Sequence, residues 1–147
     1  MKTKRLLNGI HATLVVIDHQ GILLVGPSGS GKSRFALHQL EQGHQLVSDD
    51  LVLLKQKNQQ LIGHAPAKGR GWLHDKKQGL INIIDRFGQQ ALCTEHAIDC
   101  LYCFDPTYLA SSYEVNGVVL PCYLGEIATH PRKNMECSGK SRFSLLS

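Results

Sequence analysis

Apolar positions fall in short runs separated by turn chemistry, a strand-rich pattern with one convincing helix. Thr13–Ile17 is apolar and β-branched, residues 18–21 (Asp18, His19, Gln20, Gly21) carry turn chemistry, and residues 22–25 form a second apolar run, which predicts a hairpin ending at Val25. A glycine-rich stretch follows. Residues 33–42 then offer Phe35, Ala36, Leu37 and Leu40 among good helix formers, with Gly43 as the stop, which predicts a helix. Residues 45–54 read as one strand interrupted by two adjacent acids, Asp49 and Asp50, and residues 55–60 as a polar turn into Leu61 and Ile62. Residues 63–79 mix glycines, Pro66 and charges without periodicity and read as a mobile loop. Strand character resumes at 80–84, 97–104 and 115–121, whereas 125–147 reads as an irregular tail.

These elements sit in 147 residues, a length that predicts one compact domain and excludes a second large one. With 42% hydrophobic and 19% charged residues, the composition is that of a globular chain rather than a disordered or membrane-spanning one. Collagen-like and coiled-coil organisation are excluded as well. The net charge of +4 is unevenly placed: Lys2, Lys4, Arg5, Arg132, Lys133, Lys140 and Arg142 face only Glu136 near the two ends, leaving the rest of the chain slightly acidic. Two solvated basic ends fit this better than a nucleic-acid groove.

Five cysteines (Cys93, Cys100, Cys103, Cys122, Cys137) in a chain able to build a core without crosslinks predict free thiols. The apolar run after the basic N-terminus is broken by His11 and Asp18, so it makes a poor secretory signal, and a reducing cytoplasm is the expected setting.

The strongest chemical signal is the octapeptide Gly26, Pro27, Ser28, Gly29, Ser30, Gly31, Lys32, Ser33. It fits G-x-x-x-x-G-K-[ST] and lies between a predicted strand and a predicted helix, the context that a phosphate loop requires. Glycines let the backbone wrap an anion with its N–H groups, and the helix N-terminus adds about half a positive charge there. In this pattern Lys32 reaches the β- and γ-phosphates and the Ser33 hydroxyl ligates Mg²⁺, with a purine nucleoside triphosphate such as ATP as ligand. A carboxylate is needed too, and Asp49 and Asp50 follow Lys32 by 17 and 18 residues. Neighbours in an extended strand point to opposite faces, so both acids can serve one site only if the strand ends or bulges at the pair.

Further motifs narrow the class. Ile10, His11, Ala12 and Thr13 precede the octapeptide; Gly43 and His44, the run 46–50 ending in Ser48, Asp49 and Asp50, Ala65 and Pro66, residues 79–82, and Phe87 and Gly88 follow it. In that order they resemble the catalytic domain of HPr kinase/phosphorylase, above all its short proteobacterial forms that lack an extra N-terminal domain. The resemblance weakens at Leu120 and Pro121 and at 131–134. It implies an α/β P-loop core with a mixed β-sheet flanked by helices, formed by the chain as a single catalytic domain. It implies transfer of phosphate from ATP, with Mg²⁺, to a serine of the phosphocarrier HPr. It also implies reversal with inorganic phosphate, use of pyrophosphate in some members, and a hexamer. By the same resemblance His11 is the active-site histidine, Lys32 the loop lysine and Asp50 the base that takes the serine proton; that leaves Asp49 as a second-choice metal contact beside Ser33.

Three departures stand out. The family carries Glu-x-Arg-Gly-x-Gly before its Ile-Ile-Asn strand, with the glutamate on magnesium; the aligned stretch here places His74 at the glutamate and Lys76 at the arginine, and keeps Gly79. Imidazole is a poor ligand for a hard cation. Asp75 is the candidate for the missing charge if the loop shifts by one residue, and Lys76 or Lys77 for the missing cation. Downstream, the family's Tyr-Asp-Arg becomes Tyr113, Glu114, Val115, and its Arg-Pro-Gly-Arg-Asn becomes 130–134, which keeps Arg132 and Lys133 but not the glycine. Kinase activity is therefore the expectation, with two alternatives: a nucleotide-binding regulatory protein that has lost transfer through His74 and Val115, and a P-loop kinase for another substrate.

The remaining signals are weaker. Cys100 and Cys103 have CxxC spacing but sit in an apolar run without a second Cys/His pair, the eight histidines show no H-E-x-x-H arrangement, and Trp72 lies in the glycine-rich stretch.

Overall fold

The structure is a computed structural model that describes residues 7–108 and 112–125. The predicted hairpin is formed by β2 (Thr13–Ile17) and β3 (Gln20–Val25), paired from Thr13↔Leu24 to Ile17↔Gln20. Asp18 and His19 both take positive φ, 50° and 70°, the geometry of a two-residue turn whose twist matches that of the strands. β4 (Gln45–Ser48), β10 (Cys100–Cys103), β11 (Ser112–Val115) and β12 (Val118–Leu124) complete a six-stranded sheet in the order β11-β12-β10-β3-β2-β4. β10 runs parallel to β3 and β12, and the other pairs are antiparallel. This is the expected mixed sheet.

A second, antiparallel sheet consists of β1 (Gly9–Ile10), β5 (Val52–Lys57), β6 (Gln60–His64) and β9 (Glu95–Ala97) in the order β1-β5-β6-β9. Two helices, α1 (Lys32–Glu41) and α2 (Ile83–Phe87), and the hairpin β7 (Trp72–Asp75) with β8 (Gly79–Asn82) make up the rest of the regular structure. The six-stranded sheet carries α1 and the β7–β8 hairpin on one face, where Val15, Ile22 and Leu24 meet Phe35, Leu37, Leu40, Leu73 and Ile81. Its other face packs on the second sheet, where Leu14, Val16 and Leu23 meet Val52, Leu54 and Leu61. The α/β class holds, with helical cover on one face and a sheet on the other. β2 is buried at every position because both of its faces are covered, hence its unbroken apolar run.

Several boundaries differ from the sequence expectations. The single strand expected at 45–54 is two, β4 and β5, in different sheets, because the chain leaves the central sheet at residues 49–51. The run 97–104 divides in the same way, with Asp99 anchored by paired bonds to Gly21 (N to O and Oδ2 from N, both 2.7 Å). The stretch 63–79 is no structureless loop: it holds the end of β6, a short 3₁₀ turn at Ala67–Gly69 and β7. Its alternation of exposed Trp72 and His74 with buried Leu73 and Asp75 is strand periodicity, disguised because one inward residue is an acid. The expected polar turn at 55–60 narrows to Asn58 and Gln59 between β5 and β6.

Cys100 is disulfide-bonded, against the expectation of free thiols, since an odd count excludes complete pairing but not a single bridge. Cys93, Cys103 and Cys122 form no disulfide. Cys100 and Cys103, three apart on one strand, belong to the cores on opposite faces of the sheet and cannot form a CxxC metal or redox pair. The basic ends, Cys137 and residues 126–147 lie outside the described residues.

Candidate functional site

The phosphate-loop octapeptide connects β3 to α1, where the sequence placed it. Phe104 N donates to Val25 O (2.8 Å), tying the end of β3 to the end of β10. Gly26 then turns at φ 150°, and a Cβ there would lie 2.9 Å from Ser30 Oγ and 3.2 Å from Phe104 Cβ, so no side chain fits. Ser30 N donates to Pro27 O (3.1 Å), and Pro27, Ser28 and Gly29 are exposed at the crest. Gly31, at φ 108°, caps α1 without any side-chain hydrogen bond, and the first turn holds no acid. The positive end of the helix therefore faces the loop with no acid of its own first turn against it. Ser30 Oγ is buried with no partner among the described residues. Phe35, packed edge-on against Phe104 at 5.4 Å, holds α1 to the strand ends.

Lys32 lies across this loop, its Nζ donating to Gly26 O (2.6 Å) and Pro27 O (3.1 Å). Burial pushes its pKa below the ordinary lysine value, against the opposing pull of the Asp50 and Asp49 carboxylates.

Asp49 is the hub. Its Oδ1 accepts from Ser33 Oγ and from Thr13 Oγ1, both at 2.8 Å, and its Oδ2 accepts from His74 N at 3.0 Å. One carboxylate thus joins the first turn of α1, the start of β2 and the middle of β7. β4 has ended at Ser48, so the two acids escape strand alternation, the condition under which both can serve one site. Asp50 takes φ 74° while Leu51 N donates back to Asp49 O (2.9 Å), the signature of a classic γ-turn. For a residue with a Cβ this conformation is strained by about 1–3 kcal/mol. Asp50 is exposed, and its carboxylate exerts the larger electrostatic pull of the two acids on Lys32.

Lys32, Ser33, Asp49 and Asp50 therefore converge. His11 occupies the bend between β1 and β2 and is exposed, with no hydrogen bond among the described residues. The register Thr13↔Leu24 sets the chain entering β2 beside the chain leaving β3, so His11 enters the sheet on the side where the loop begins. Thr13 escaped the sequence reading as a site residue; its signal was a hydroxyl heading an otherwise apolar strand.

The departures resolve differently. His74 has its ring on the exposed face of the hairpin and touches Asp49 through its backbone amide. Asp75 does not stand in for the missing metal carboxylate: it is 1% exposed, its Oδ2 accepts from Lys77 N (3.0 Å) and Gln78 N (2.9 Å), and it pairs with Arg34 at 3.6 Å. Strand alternation turns it into the core side of the hairpin. Val115, at the position of the family's arginine, is buried in the core between the two sheets. Arg132 and Lys133 lie outside the described residues.

The donors beside the loop, the Ser33 hydroxyl and the Asp49 carboxylate, are hard oxygens 2.8 Å apart and suit Mg²⁺, which binds through one or two carboxylates plus substrate phosphates and retains waters. No group of three or more His, Cys, Asp or Glu side chains forms a metal cage among the described residues. No helix among them is long and apolar enough to cross a membrane.

Comparison with known proteins places the chain in a family. The family model for the HPr Serine kinase C-terminal domain matches residues 5–117. The HPr kinase/phosphorylase of Clostridium beijerinckii is 34% identical over 109 residues, covering 74% of this chain and 36% of that protein. That of Bacillus subtilis strain 168 is 42% identical over 84 residues, 56% of this chain and 27% of that protein. The chain thus spans about a third of the length of such relatives. A solved structure, the Hpr(Ser) kinase/phosphatase from Coxiella burnetii, superposes with a TM-score of 0.80 at 28% identity, covering 95% of this chain and 99% of that one. The match spans the phosphate loop, the Asp49–Asp50 corner and the β7–β8 hairpin, and the chain belongs to the HPr serine kinase C-terminal domain family.

Proposed function

We propose that the chain is a protein serine kinase that transfers the terminal phosphate of ATP to a serine of HPr. One observation carries the reading: Asp49 bonds the last residue of the phosphate loop, Ser33, while Asp50 next to it projects from a strained turn beside Lys32. Phosphoryl transfer asks for positioning, charge neutralisation and one group oriented on the attacking oxygen. The amides of the loop hold the phosphates, and Lys32 exchanges its two loop carbonyls for β- and γ-phosphate oxygens. Ser33 Oγ and the Asp49 carboxylate are the groups that would hold Mg²⁺, which when bound neutralises charge on those phosphates. Asp50 accepts the serine proton as the serine oxygen bonds to the γ-phosphorus. The bond to the β,γ-bridging oxygen breaks, and ADP leaves with that oxygen. His11, in the bend that enters β2 beside the loop, donates to phosphate.

The name shared by the relatives supports HPr as acceptor and inorganic phosphate as the reactant of the reverse step. A second reading, a nucleotide-binding regulator without transfer activity, draws on the burial of Val115, which leaves no cation at that position. The deciding experiment incubates the purified chain with γ-labelled ATP, Mg²⁺ and HPr from the same organism. Label on an HPr serine establishes the kinase; tight ATP binding with unlabelled HPr, under conditions where a relative transfers, establishes the regulator.

A further inference from the structure

The turn between β7 and β8 is fastened to the helix that the phosphate loop starts. Asp75 takes the amides of Lys77 and Gln78 on one oxygen, which fixes the turn, and the same oxygen faces the Arg34 guanidinium on α1. Gly79 closes the turn at φ 79°. Between these fixed points stands Lys76, whose ammonium lies 3.8 Å from where a Cβ on Gly29 would be, above the exposed crest of the loop.

No carboxylate or carbonyl partners Lys76 among the described residues. The nearest acid in sequence, Asp75, is buried and already committed to Arg34 and two amides. Lys32 engages Gly26 and Pro27 at the entry of the same loop, so two ammonium groups attend it at different points. Both add positive charge beside a loop whose amides and helix N-terminus already favour an anion.

We propose that Lys76 is a second phosphate-binding residue, delivering its ammonium from the β7–β8 turn to the phosphate chain of a nucleotide seated in the 26–33 loop. The inference rests on the nucleotide reading of that loop. It gives the hairpin a task distinct from supporting Asp49: one strand residue, His74, steadies the metal-side carboxylate, and Lys76, two positions on, reaches the phosphates from above. A lysine suits this as a mobile point charge.

The test is calorimetric titration of ATP into wild-type protein and into Lys76→Met, Lys76→Arg and Lys77→Met, with circular dichroism to verify folding. Lys77 is the control, since it shares the turn and the charge but neighbours Asp75 rather than the loop. Lys76→Met should weaken ATP binding about tenfold or more, as expected for loss of a charge-assisted contact. Lys76→Arg should stay near wild type, and Lys77→Met within about twofold. Unchanged affinity in Lys76→Met, or equal losses in both methionine variants, overturns the assignment while leaving the nucleotide reading intact. Failure of the wild type itself to bind ATP overturns both.

Discussion

Ser33 Oγ and Asp49 Oδ1 are 2.8 Å apart, joining the last residue of the phosphate loop to the first acid beyond β4. Because Asp49 also holds Thr13 and the amide of His74, it positions a hydroxyl as well as offering a charge. Asp49→Asn should fold, keep partial hydrogen bonding and lose most of the Mg²⁺ dependence of ATP binding. Ser33→Ala should cost about 10–100-fold in transfer at limiting Mg²⁺, the scale of losing a metal-site group. Mg²⁺ titrations of nucleotide binding and HPr phosphorylation read both.

Asp50 combines strain with exposure. Asp50→Asn should reduce transfer by about 10²–10⁴-fold and leave ATP binding within about twofold, because a base is needed only when the serine gives up its proton. Asp50→Gly should abolish transfer too, yet raise the melting temperature by relieving the φ of 74°. Stability gained where activity is lost would mark the turn as strain retained for function. A lower melting temperature in Asp50→Gly would refute that view.

The Lys32 ammonium has a pKa below the ordinary 10.5 because it is buried, despite Asp50 and Asp49. Phosphate oxygens favour the charged form, so nucleotide binding raises that pKa again. Affinity is therefore full below the pKa of the free protein and falls as pH rises through it, by up to about tenfold per pH unit. ATP titrations from neutral pH to about 10 should show the decline in wild type, and Lys32→Arg should give a flat profile, since arginine keeps its charge throughout.

Burial alone would raise the Asp75 pKa, but the amides of Gln78 and Lys77 and the charges of Arg34 and Lys77 outweigh it and hold the carboxyl below its ordinary 3.8. A lowered pKa contributes stability that is full above the unfolded value and is lost as pH falls through the folded one. Asp75→Asn, which keeps an acceptor for the two amides but not the charge, should be less stable by about 1–3 kcal/mol at neutral pH. That gap should narrow below about pH 4 in thermal unfolding followed by circular dichroism.

Two of the three departures from the family pattern, at His74 and Val115, are not equally open to repair. His74 is exposed, so His74→Glu should fold normally and, with a carboxylate added beside Asp49, raise transfer at limiting Mg²⁺ about tenfold. Val115 is 7% exposed between the two sheets, so Val115→Arg buries an unpaired charge and should lower stability by about 3 kcal/mol or more. Melting curves measured beside the transfer assay separate the two effects.

Much of the site was legible in local pattern. The hairpin before the loop, the octapeptide and α1 are short-range features: β-branched runs, turn residues and glycines that act within a few positions of one another. The stretch around β7 was not legible, because Asp75 breaks the apolar alternation that marks a strand, and its inward position makes sense only once Arg34 and two turn amides are there to receive it. The runs 45–54 and 97–104 looked continuous because apolar content alone cannot say in which sheet a residue will pair.

By itself the sequence determined the glycine-rich octapeptide, its strand and helix, the family pattern and the presence of two adjacent acids, since each is a matter of residue type at fixed spacing. Tertiary structure alone decided that Asp49 would meet Ser33 and His74, that Asp75 would turn inward and that Lys76 would stand over Gly29. Those meetings join segments separated by as many as 47 positions. They follow from sheet register and layer packing, which are fixed only when distant strands pair and bury their apolar faces together.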